Sequence, residues 1–120
     1  MMKINKCPIF QAADLIGKKW TIVIIQEAAL NGKRGFNAIL DRMGKISPKL
    51  LSKRLKELEE KGILQKKIFT NGVPFRTSYN LTEKGKELQE IITFLRKWQV
   101  KYNPATEGCD RRECVKCPLY

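Results

Sequence analysis

The stretch Ser47 to Lys61, SPKLLSKRLKELEEK, decides how the rest of the chain is read. Ser47 brings a hydroxyl that can accept a first-turn N–H, and Pro48 suits the first helical position, where a missing N–H is harmless. Gly62 follows as a C′ residue in the left-handed region. At about 100° per residue, Leu51, Leu55 and Leu58 share one face, and Lys49, Ser52, Lys53 and Lys56 share the opposite one. The leucine face must be buried. The other then presents three cations and a hydroxyl, led by a helix N-terminus whose partial positive charge favours phosphate. No acid lies between Arg42 and Lys56, while Glu57, Glu59 and Glu60 crowd the far end. That polarity suits a helix entering a DNA groove N-terminus first, although a solvated amphipathic helix has the same pattern.

The segment that follows separates the two readings. ILQKKIFTNGVPFRTSYNL places Ile63, Leu64, Ile68 and Phe69, then Phe75, Tyr79 and Leu81, in two strands rich in β-formers. Asn71-Gly72 is the turn between them, and Pro74 belongs at the hairpin margin. Lys66, Lys67 and Arg76 decorate this hairpin, and no acid occurs from Lys61 to Thr82. Upstream, the spacing predicts a helix from Pro8 to about Ile16 with Ile9, Ala12, Ala13 and Ile16 as its inner stripe. A second, WTIVIIQEAAL, is apolar nearly all round and should be the most buried. Lys33 to Gly35 allows a short strand or bridge. A third helix, Phe36 to Met43, turns at Gly44-Lys45-Ile46 into the Ser47 segment. Thr82 caps a long last helix whose Leu88, Ile91, Ile92, Leu95, Trp98 and Tyr102 follow a 3-4 spacing.

Helix, helix, turn, helix, then a basic hairpin is the order of a winged helix-turn-helix, a mainly α fold with a small β-hairpin. Residues 1–104 read as that domain, with N- and C-terminal helices for dimerisation, and residues 105–120 as a cysteine-containing tail. Lys49, Ser52, Lys53 and Lys56 are the expected groove contacts, Lys66, Lys67 and Arg76 the expected backbone contacts, and Ser47 and Pro48 at the helix start complete the DNA-binding set. Arg54 lies beside the groove stripe and fits either a phosphate clamp or an intramolecular pair. The terminal helix would leave a sizeable apolar patch on so small a domain. A two-fold partner buries that patch and sets two recognition helices on one face of DNA; packing back on its own domain is the alternative.

Composition agrees. The formal charge of +12 over 120 residues, with a pI near 9.8, attracts polyanions. The longest apolar run, Ile22 to Ile25, is far too short for a bilayer, and MMKINKCPIF lacks the apolar core of a signal peptide, so the expectation is a cytoplasmic protein. Histidine is absent, which removes the commonest general base and any Cys–His or Ser–His pair. An enzyme is not expected; a thiol redox enzyme would want C-x-x-C at a helix start in a βαβ unit. A winged-helix module serving protein or RNA contacts is the other reading, and an inverted-repeat preference would separate it from a sequence-specific DNA-binding regulator.

Cys7-Pro8, Leu15-Ile16-Gly17-Lys18-Lys19-Trp20, Arg34-Gly35-Phe36, Ile46-Ser47-Pro48-Lys49, Leu55-Lys56-Glu57-Leu58-Glu59 and Tyr79-Asn80-Leu81-Thr82-Glu83-Lys84-Gly85 together resemble the HxlR-type transcription regulators of bacteria and archaea, relatives of the MarR group. The resemblance runs from Cys7 to about Trp98. It implies a homodimeric repressor or activator on duplex DNA, with the terminal helices as the interface. In some such regulators the cysteine at the Cys7 position senses electrophiles, aldehydes or oxidants.

The tail falls outside that resemblance. Cys109, Cys114 and Cys117 are spaced C-x4-C-x2-C, with Cys7 as a conceivable fourth ligand. Zinc on four thiolates, or on three with Asp110 or Glu113, an iron–sulfur cluster, disulfides and free thiols all fit. Arg111 and Arg112 favour thiolate and therefore either metal binding or oxidation.

Overall fold

The computed structural model describes residues 4–30, 35–69, 72 and 76–103. A 3-10 turn at Ile4–Lys6 leads into α1 (Pro8–Ile16), followed by α2 (Thr21–Ala29), α3 (Phe36–Met43), α4 (Pro48–Glu60), β1 (Leu64–Phe69), β2 (Arg76–Leu81) and α5 (Glu83–Tyr102). The strands pair antiparallel in a two-stranded sheet, in the register Leu64↔Leu81 to Phe69↔Arg76. This is the mainly helical fold with a hairpin wing that the spacing predicts.

Capping explains the sharpness of the helix starts. Ser47 Oγ accepts the Leu50 N–H at 3.1 Å, and Thr82 Oγ1 accepts the Gly85 N–H at 3.1 Å, each satisfying a first-turn donor that the helix itself cannot. Gly62, at φ +73°, takes the left-handed position that ends α4. The Asn71 and Pro74 expected at the hairpin turn lie outside the described residues, as do Lys33 and Arg34 of the expected short strand.

The core gathers Ile24, Ile25 and Ala28 of α2, Ile39 and Met43 of α3, Ile46 of the turn that follows, Leu51, Leu55 and Leu58 of α4, and Ile63, Leu64, Tyr79 and Ile92. As expected, α2 is the central helix. Within it Glu27 is fully buried, and Arg42 Nε donates to its Oε2 at 3.0 Å, strapping α2 to α3. The entry of α5 is fastened to the end of α4. The Thr82 N–H donates to the Ile63 carbonyl at 3.0 Å, and Lys84 Nζ to the Lys61 carbonyl at 2.8 Å. Gly85 is buried against that same Ile63 carbonyl so closely that a Cβ would collide with it. The glycine is what lets α5 dock there.

One expectation is overturned. The stripe Ile9, Ala12, Ala13 does not face inward: α1 has no buried residue, Ile9 is 79% exposed, and of the expected stripe only Ile16 is partly covered, while Leu15 beside it packs against the core. The alternative in which α5 packs its whole stripe on its own domain fails likewise. Leu88 and Ile92 reach the core, but Ile91, Phe94, Leu95, Trp98 and Tyr102 are exposed. A helix of 20 residues is about 30 Å long, and the small core covers only its first half.

Candidate nucleic-acid interface

On α4 the helical period becomes two surfaces. Leu51, Leu55 and Leu58 are at most 1% exposed, and Lys49, Ser52, Lys53 and Lys56 are all exposed on the side away from them. Ser47 and Pro48 are exposed at the N-terminus, where the helix dipole favours an anion. The buried leucines hold α4 against α3, so the cations stand on a helix fixed from behind. Three Nζ groups along one face, with the acids displaced to the last turn, suit a run of phosphates and base-edge acceptors.

Beyond the Gly62 turn the wing leaves the core. Leu64 is the only buried residue of β1, and Lys66, Lys67, Ile68 and Phe69 are exposed. Lys66 stands opposite Tyr79 in the register, its Nζ 6.0 Å from the centre of that ring. Arg76 pairs with Phe69 through the backbone; its side chain lies outside the described residues. The wing and α4 meet at Ile63, so the two basic elements keep a fixed relation.

Arg54 resolves into the intramolecular alternative. Its Nε donates to the Lys19 carbonyl at 3.1 Å and its NH1 to Glu57 Oε2 at 3.2 Å. Sequence reasoning could name that alternative but not the Lys19 partner, which is 35 residues away. It also missed the Glu27–Arg42 pair, although a lone acid in an apolar helix is a signal that a cation must meet it.

Cys7 is a free, half-buried thiol at the N-cap of α1. Cys109, Cys114 and Cys117, and with them the expected metal or disulfide cluster, lie outside the described residues. Among the described residues no group of three or more His, Cys, Asp and Glu is placed to hold a metal ion. Nor is any helix among them long and apolar enough to cross a membrane.

A helix-turn-helix with an outward basic stripe, flanked by a basic hairpin, defines a winged helix-turn-helix protein. Residues 15–107 match the family model described as HxlR-like helix-turn-helix, and the chain belongs to that family. It is a transcription regulator of the HxlR type and not an enzyme. The HTH-type transcriptional regulator YvaP of Bacillus subtilis is 35% identical over 103 residues, covering 85% of this chain and 94% of that protein. The reduced form of the transcriptional regulator YodB from B. subtilis superposes with a TM-score of 0.68 at 34% identity, covering 85% of this chain and 95% of that one. The redox regulator HypR in its oxidised form gives 0.73 at 30% identity, covering 81% and 98%.

Proposed function

We propose that the chain binds duplex DNA as a homodimer, sequence-specifically, under the control of Cys7. Lys49, Ser52, Lys53 and Lys56 read base edges in the major groove, Ser47 and Pro48 set the α4 N-terminus against the backbone, and Lys66, Lys67 and Arg76 grip phosphates from the wing. Arg54 is withdrawn from that set because its guanidinium is engaged within the protein. The observation that carries the reading is the exposed cation stripe on α4, directly opposite the buried leucines.

The apolar faces of α1 and α5 support the dimer. The thiol reading is supported by the position of Cys7 at the start of α1, one of those faces, and by the kinship with a redox regulator and with YodB. Modification of Cys7 would disturb α1, and with it the spacing of the two α4 helices, which is the geometry that DNA reads. On this reading the protein works in the cytoplasm, beside its DNA.

Selection of bound duplexes from a random pool tests the reading. The expected product is an inverted repeat whose half-sites lie about 10–10.5 bp, or a multiple of that, apart. Titrating that duplex with reduced and oxidised protein should give different affinities for the wild type and equal ones for Cys7→Ser. A pool that yields no shared sequence contradicts the proposal.

A further inference from the structure

We propose that Arg54 and Glu57 are positioning residues, joined with Lys18 and the Lys19 carbonyl in a latch that sets the orientation of α4 for base reading. The proposal rests on the DNA-binding reading above and adds to it what holds the reading helix in register.

The latch stands where apolar packing is thin. Because α1 has no fully buried residue and reaches the core only through Leu15, little apolar burial restrains it. A cleft of about 720 Å³ separates it from the end of α4, with Pro8, Ala12 and Leu15 on one wall and Leu58 and Lys61 on the other. Across this gap a hydrogen bond and an ion pair tie the α1–α2 turn to α4. Arg54 Nε donates to the Lys19 carbonyl at 3.1 Å, while its NH1 meets the two Glu57 oxygens at 3.2 and 3.4 Å. Lys18 Nζ closes the arrangement 3.6 Å from Glu57 Oε1. The Arg54 and Glu57 side chains are only 13% and 25% exposed, so water competes weakly for these bonds.

The turn is shaped to receive Arg54. Trp20 has φ +82°, and it alone among the described non-glycine residues lies in the left-handed region. The carbonyl that Arg54 holds belongs to the peptide bond immediately before that residue. Such a conformation persists only where its surroundings hold it. Here Trp20 packs against the core on one side, and the guanidinium takes the preceding carbonyl on the other. A planar guanidinium can serve a carbonyl and a carboxylate at once, which a lysine ammonium in its place would do poorly.

Arg54 and Glu57 are three residues apart on α4, on the flank between the leucine face and the lysine face. Bonds on a flank resist rotation of the helix about its own axis. That rotation would carry Lys53 and Lys56 off the bases they face while leaving their charges close to the phosphates. The latch therefore governs discrimination between sequences more than total affinity.

Arg54→Met and Glu57→Gln, titrated on the selected duplex and a scrambled one at several salt concentrations, test this. Arg54→Met should weaken the selected duplex about tenfold and the scrambled one less than about twofold, with the salt slope unchanged. Were Arg54 a phosphate contact instead, both duplexes would weaken alike and the slope would flatten by about one. Glu57→Gln raises the net charge, so electrostatics alone predicts tighter binding everywhere; the latch predicts weaker binding to the selected duplex. Tighter binding to both overturns the proposal. Amide exchange at residues 17–20 provides a readout that needs no DNA. It should quicken in both variants at unchanged helix content, and unchanged exchange overturns the latch. A wild-type protein that prefers no duplex would refute the DNA reading, and the exchange result would still decide the latch. Should Arg54→Met fail to fold, Arg54→Lys takes its place, with the same selective loss expected.

Discussion

Replacing Ile91 and Leu95 together with glutamate is expected to yield a monomer whose affinity for the selected duplex is at least about a hundredfold weaker. Ile91, Phe94, Leu95, Trp98 and Tyr102 fall within about 100° of arc on α5, and each is between 42% and 70% exposed. Ile9, at 79% exposure, adds a second apolar face on α1. A contiguous apolar surface of this kind on a small domain marks an interface, and a two-fold axis lets one patch serve both partners. The variant buries charge where the partner's apolar face should lie. The surviving monomer reaches one half-site and neutralises roughly half the phosphates, and affinity drops steeply as fewer phosphates are neutralised. Sedimentation and DNA titration on the same samples would show both effects. A wild type that remains monomeric at high micromolar concentration, or a variant that remains a dimer, contradicts the proposal.

Arg42→Met is expected to lower the stability of the fold by about 3–5 kcal/mol, because removing one member of a buried pair leaves the other charge in the interior. Glu27 is fully buried in α2 and Arg42 Nε lies 3.0 Å from its carboxylate, with the Arg42 side chain 18% exposed. Methionine keeps much of the length of the stem and none of the charge. The double variant Glu27→Leu with Arg42→Met should recover most of the loss, since apolar replacement of a whole buried pair is often close to neutral. Denaturant unfolding of wild type, single and double variants measures this directly. A loss under about 1 kcal/mol in the single variant would place the pair among ordinary surface bridges such as Lys86–Glu83, which are worth little. The pair matters for function because it docks α3, the helix in front of α4, onto the central helix.

The sequence was most readable where structure is local. Ser47, Gly62 and Thr82 mark helix ends because a hydroxyl, or a left-handed backbone, acts on groups within a few residues. The extents of α1, α3 and α4 followed from such signals, and the β-branched and aromatic run after Gly62 announced the wing. The helical period also assigned the two faces of α4, since a leucine face and a lysine face leave one arrangement in water. For α1 the same period misled. It shows that Ile9, Ala12 and Ala13 share a face, but not what lies opposite, and here no element described in the same domain buries them. Arg54 shows the other limit, because its partner is a backbone carbonyl 35 residues upstream, a group that every residue type supplies alike. The left-handed backbone at Trp20 carried no sequence signal either. Gly17, the residue that follows α1, is right-handed, and the strained position falls three residues later on a bulky side chain.

The division of labour between α4 and the wing is the central claim, and one set of titrations measures it. Lys53→Ala, Lys56→Ala, Lys66→Ala and Arg76→Ala are each compared on the selected and the scrambled duplex across a range of salt. The α4 variants should each lose about 1–3 kcal/mol on the selected duplex and much less on the scrambled one. The wing variants should weaken both duplexes alike, each flattening the salt slope by about one. Equal losses on the two duplexes for all four variants would contradict that claim, since α4 would then be one more phosphate-binding element and the reading of sequence would lie elsewhere.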